Sequence, residues 1–195
     1  LTALKREFEW LRDPDKDALQ KSLKDLDMAY QKFFKEHTGF PKFKSKKRNR
    51  KSYRTSCTNS NIEYCGNRIK LPKLGKVRIT DNLVPQGRIL NATVSQEPSG
   101  KYYVSLCCTD VEMPPHPHTG TCIGYDLGLK EFCVSSSGDI TENPKYLKES
   151  LTKLAKLQRE LSRKTIGGSN RNKARIKVAR LQEHVANQRR DFLQK

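Results

Sequence analysis

The 195 residues carry 39 lysines and arginines against 21 acids, a formal net charge of +18, which disfavours a protein serving only small neutral ligands and asks for a polyanionic partner. Membrane surfaces are anionic too, but no apolar run approaches the ~18 residues of a spanning helix, and no signal-peptide pattern opens the chain; nucleic acid is the favoured polyanion. The length accommodates one domain or two small ones, and Leu1 in place of Met, with Lys195 falling inside a helical pattern, predicts an internal piece of a longer protein.

Residues 1–37 read as helix. Asp13-Pro14-Asp15 supplies a start signal, and Leu19, Leu23, Leu26, Tyr30 and Phe33 recur on one face, an amphipathic stripe wanting a partner. Thr38-Gly39 ends it. From Lys42 to Arg54 follow eight basic residues and no acid, namely Lys42, Lys44, Lys46, Lys47, Arg48, Arg50, Lys51 and Arg54, with Phe40, Phe43 and Tyr53 interleaved. Cations answer phosphates and aromatic faces stack on unpaired bases, so Lys42–Arg54 is a candidate nucleic-acid contact. The plainer reading is a solvated charge run with its aromatics in the core.

Between about 53 and 112 the texture turns to short β-like runs, among them Arg68–Leu71, Lys76–Ile79 and Tyr102–Leu106, separated by Gly66-Asn67, Leu74-Gly75 and Pro98-Ser99-Gly100. A small antiparallel sheet or barrel is expected. Apolar residues alternate with Lys and Arg, which predicts one packed face and one basic face. The prolines of Met113–Gly120 mark a linker at 114–120; His116 and His118 within it read as linker residues, not ligands. The six cysteines form no C-x-x-C pair and read as reduced, mostly buried thiols of a cytoplasmic protein.

Beyond the linker, Thr121–Gly128 reads as one strand and its end and Glu131–Ser135 as a second, with a turn at Ser137-Gly138-Asp139. Leu147, Leu151, Leu154, Leu157 and Leu161 then share one helix face, and Ala174, Val178, Leu181, Val185 and Phe192 another, with Gly167-Gly168-Ser169-Asn170 between them. Such a pattern is a helical hairpin. It carries fourteen lysines and arginines before Lys195, and Arg171, Lys173 and Arg175 are candidate nucleic-acid contacts.

Asp126 is the one candidate catalytic residue. It stands late in an apolar strand, between Tyr125 and Leu127 and flanked by Gly124 and Gly128, where a buried carboxylate is costly and a small neighbour admits a ligand. A carboxylate there suits Mg2+. The alternative is an aspartate that accepts backbone hydrogen bonds in a tight turn, and actin-like ATPases share the strand, Asp and Gly-rich turn.

The run Gly124–Val134, then Glu142–Leu147, Leu157–Lys164, Ser169–Arg175 and Val185–Leu193, together with Phe40-Pro41-Lys42-Phe43-Lys44-Ser45-Lys46, closely resembles the TnpB (OrfB) proteins of bacterial insertion sequences. The resemblance implies an RNA-guided DNA endonuclease binding guide RNA and target DNA. It also implies an α+β fold: 1–38 as the remainder of a helical recognition region, 39–113 as a wedge-like β-barrel, and 121–195 as the start of a RuvC, RNase H-like nuclease domain. Asp126 corresponds by position to the first RuvC carboxylate, a ligand of catalytic Mg2+. The family's remaining carboxylates and its Zn2+ ribbon come later than these residues, so the piece is expected not to cut by itself. A nuclease-dead nucleic-acid-binding protein or repressor stays open beside this reading; an actin-like ATPase fits the charge and Leu129-Lys130-Glu131 less well.

Overall fold

The computed structural model describes residues 1–45, 49–80, 83–112, 114–115 and 119–195. They form two compact units, Leu1–Glu97 with Lys101–Met113, and Pro98–Gly100 with Pro114–Lys195.

The first unit begins with a short helix, α1 (Thr2–Glu7), a single 3-10 turn at Glu9–Arg12, and the long α2 (Lys16–Glu36). The expected single helix over 1–37 is thus broken. Pro14 has no N–H to give, and Asp15 takes the extended conformation and caps α2, its carboxylate accepting the Ala18 N–H at 3.2 Å. His37, in the left-handed conformation, ends α2 just before Thr38-Gly39.

Two open antiparallel sheets follow. One joins β1 (Lys51–Ser56), β5 (Arg88–Gln96) and β6 (Tyr102–Thr109) in the order β1-β5-β6; the other joins β2 (Glu63–Cys65), β3 (Arg68–Leu71) and β4 (Gly75–Arg78) in chain order. Ile62, Ile69, Leu71, Ala92 and Val94 are buried, with Tyr53, Val104 and Leu106 packed against them. The expected barrel is not found: among the described residues neither sheet closes. Closure needs every edge paired, and β4 keeps all four residues exposed while the other end of its sheet is the three-residue β2.

Helix α2 is fastened to the β1 edge by its acids. Asp15 accepts the Thr55 hydroxyl at 2.6 Å, Asp17 the Ser56 N–H at 2.5 Å, and Asp25 pairs with Arg54 at 2.8 Å. The Asp17 bond occupies a backbone N–H of the β1 edge that would otherwise be open to another strand. The apolar stripe of α2 stays partly uncovered, with Leu23 and Leu26 each half exposed.

The second unit holds a three-stranded sheet, β7 (Tyr125–Leu127), β8 (Glu131–Ser135) and β9 (Ile140–Glu142), and two helices, α3 (Tyr146–Ser162) and α4 (Ser169–Gln194). β7 is shorter than the expected Thr121–Gly128 run. The helices pack along the two apolar stripes, and Ala174, Val178 and Val185 are buried. Phe192 of α4 meets Phe132 of β8 edge to face at 4.9 Å, which ties the hairpin to the sheet. All six cysteines are free thiols and none is buried, contrary to expectation; Cys107 and Cys122 are exposed. Cys107 falls on the outward face of β6, opposite the face on which Val104 and Leu106 pack, and Cys122 lies outside any strand.

Candidate functional site

The basic stretch divides in two. Lys42, Phe43 and Lys44 are exposed and outside regular structure, and the Phe43 ring lies fully in solvent. Phe40, in contrast, meets Tyr30 and Phe33 of α2 edge on at 5.8 and 5.3 Å. Lys46, Lys47 and Arg48 lie outside the described residues. The remainder is built into the first sheet. Tyr53 packs on the core, and its phenol pKa is raised by burial first and by the Asp15 carboxylate second; it supports the sheet and is not displayed for stacking. Lys51 is exposed at the start of β1. Arg50 pairs with Glu97 at 2.6 Å and Arg54 with Asp25. Arg50 is largely and Arg54 partly exposed, and surface pairs are worth only ~0–1 kcal/mol, so a phosphate competes readily for either.

In the second unit Arg171 donates to the carbonyls of Leu161 and Lys164, each at 3.0 Å. It therefore satisfies the carbonyls left open where α3 ends, a structural task that also favours a cation. Lys173 and Arg175 are exposed on the following turn of α4 and keep their charges available.

Asp126 sits at the middle of β7 opposite Val134. The buried setting expected for it is not found. β7 is an edge strand, and Tyr125 and Leu127 are 67% and 71% exposed; Asp126 itself is exposed. The Gly128 position has its own explanation, because a Cβ there would stand 2.9 Å from the Glu131 carbonyl oxygen across the β7–β8 connection. Among the described residues no neighbouring acid is gathered towards Asp126 into a ligand set. Asp139 accepts the Ser137 hydroxyl at 2.8 Å in the β8–β9 turn, and Glu131 lies beside Lys130. Among the described residues no group of three or more His, Cys, Asp or Glu side chains can hold a metal ion. One solvated carboxylate does not make a site for a divalent cation, let alone for a pair 3.5–4 Å apart. These residues alone do not fit the catalytic magnesium that the resemblance implies.

Residues 105–195, from β6 to the end of α4, match the OrfB model of IS605-type insertion sequences described as "Probable transposase". The chain is 37% identical over 190 residues to the "Putative RNA-guided DNA endonuclease InsQ" of Escherichia coli strain K12, a match covering 97% of this chain and 46% of that protein. The likeness is to the TnpB/OrfB family. A "Putative RNA-guided DNA endonuclease" of Streptomyces pristinaespiralis is 33% identical over 192 residues, covering 97% of this chain and 47% of that protein. The chain thus spans about half the length of the curated TnpB/OrfB relatives it matches, and the likeness includes the sheets of the first unit as well as the β7–β9 sheet and helical hairpin. No described helix is long and apolar enough to cross a membrane.

The basic face expected from the alternation of apolar residues with Lys and Arg is found on β3 and β4, although its cations were not among the candidate contacts. Arg68, Lys70, Lys76 and Arg78 are spread over two strands, and only the register of β3 with β4 brings them together. Their signal was the alternation of basic and apolar residues within those strands.

Proposed function

We infer that this chain is the part of a transposon-associated RNA-guided DNA endonuclease that grips guide RNA and target DNA and contributes one carboxylate, Asp126, to the cutting site. The observation that carries this reading is the match along 97% of the chain to two proteins named as RNA-guided DNA endonucleases. The +18 charge and the exposed Lys42, Lys44, Lys51, Lys173 and Arg175 support it, since each suits a phosphate backbone. In this reading residues 1–38 are the remainder of a helical recognition region, residues 39–113 serve as a wedge-like nucleic-acid-binding region, and residues 121–195 open a RuvC-like nuclease domain. Asp126, on a strand edge with no ligand partners of its own, would hold Mg2+ only together with carboxylates outside this chain. The 195-residue chain then binds nucleic acid but does not cut it.

The test is a pair of assays on the purified chain. Binding to RNA and DNA should weaken steeply with salt, and neutralising Lys42, Lys44 and Lys51 together should flatten the salt slope by about two. Incubation with Mg2+ and labelled DNA should leave the DNA intact. Cleavage abolished by Asp126→Asn would overturn the assignment of the cutting site to a longer protein, and an unchanged salt slope would remove the basic stretch from the interface.

A further inference from the structure

We propose that the outer face of the β3–β4 ribbon is a second, separate binding site for a nucleic-acid phosphodiester backbone, formed by Arg68, Lys70, Lys76 and Arg78. The proposal rests on the nucleic-acid-binding reading above and deepens it by naming a surface that reading does not use.

Antiparallel pairing sets Arg68 directly opposite Arg78 and Lys70 directly opposite Lys76. Residues opposite one another share a face, so all four cations stand on one side, while Ile69 and Leu71 point to the other and are 2% and 3% exposed. The ribbon therefore has a basic front and a back that is packed at Ile69 and Leu71 of β3, while Val77 of β4 on that back is 39% exposed. Like charges directly opposite across a ladder repel. Here the repulsion is hardly relieved from within: Lys70 lies 3.9 Å from Glu63 and donates to the Ser60 carbonyl at 3.3 Å, and among the described residues Arg68, Lys76 and Arg78 make no ion pair.

Charge on an exposed edge is a common guard against unwanted strand pairing. That purpose accounts for Lys76 and Arg78 on β4, the edge strand. It does not account for Arg68 and Lys70, because β3 is the central strand of this sheet with both of its edges already paired. An anion that bridges the strands accounts for all four. The two members of a cross-strand pair are close enough to reach one phosphate, and the pairs follow each other at about 6.7 Å along the ribbon. A sugar–phosphate backbone laid along the ribbon would meet them in succession. Side chains reaching only phosphates read no sequence, so binding here is independent of sequence.

The experiment compares the wild-type chain with a variant carrying Arg68→Gln, Lys70→Gln, Lys76→Gln and Arg78→Gln. Single-stranded RNA, RNA duplex and DNA duplex of arbitrary sequence are each titrated at several salt concentrations. The proposal predicts that the salt slope flattens by about three with at least one polymer, since each phosphate contact contributes roughly 0.7–0.9 to the slope, and that affinity near 0.1 M salt falls on the order of 100- to 1000-fold. Whichever polymer responds identifies the backbone that occupies the ribbon. A charge-preserving variant with Arg68→Lys, Lys70→Arg, Lys76→Arg and Arg78→Lys should retain the wild-type slope, which separates lost charge from lost fold. If wild type binds and the glutamine variant shows the same slope with all three polymers, the ribbon is not a site and the wider reading stands. Should wild type bind none of them, both fail together.

Discussion

The attachment of α2 to β1 passes through one carboxylate with two duties. Asp15 caps the helix through the Ala18 N–H and accepts the hydroxyl of Thr55, a residue with no exposed surface. Asp15→Ala removes the cap, worth about 1 kcal/mol. It also removes a hydrogen bond to a charged acceptor, worth about 1.5–3 kcal/mol, and leaves a buried hydroxyl unpaired. The expected loss is about 3 kcal/mol. Thr55→Val keeps the shape of the side chain and deletes only the donor, so its cost should be about 2 kcal/mol. Because both substitutions break the same bond, the double variant should be little worse than Asp15→Ala, with a coupling of about 1.5–2 kcal/mol. Urea unfolding can be followed through Trp10, the only tryptophan, which lies in the first unit just before α2. Additive losses, with coupling under about 0.3 kcal/mol, would refute the shared bond.

Arg171→Gln should destabilise the α3–α4 hairpin by roughly 1–3 kcal/mol through the opened carbonyls of Leu161 and Lys164, seen as a lower thermal midpoint by circular dichroism. Lys173→Gln with Arg175→Gln should spare stability and weaken nucleic-acid binding instead. The raised Tyr53 pKa means that its neutral form is favoured in the folded state. Its contribution to stability is full below the unfolded phenol pKa, about 10, and is lost as pH rises through the higher folded value. Alkaline urea titrations should show this loss in wild type and a smaller one in Tyr53→Phe. Asp126→Asn, at an exposed position, should change the stability of this chain by less than about 0.5 kcal/mol.

The elements legible in the sequence are those specified by local rules. The stripe and stop of α2, the alternation in β3 and β4, and the two faces and glycine break of the α3–α4 hairpin all follow from periodicity and capping. β1 was hidden because it begins inside the densest run of charge, where Lys51 and Arg54 mask the inward-facing Tyr53 and Thr55. Whether the sheets close into a barrel depends on pairing between distant edges, which no local pattern encodes. The site shows the same division. The position of Asp126 within a strand was legible, but its exposure follows from β7 being an edge, and the structural work of Arg171 follows from where α3 ends. Arg68, Lys70, Lys76 and Arg78 form a group only once the register is known.

The central claim is that Asp126 serves cutting, and the basic faces serve binding, in a protein longer than this chain. The most direct measurement is plasmid cleavage by the full-length parent protein loaded with guide RNA in Mg2+, wild type against Asp126→Asn, with RNA affinity measured on the same preparations. The account predicts that the substitution abolishes cleavage and leaves RNA affinity unchanged. Cleavage that survives the substitution, or RNA affinity lost together with cleavage, would contradict it.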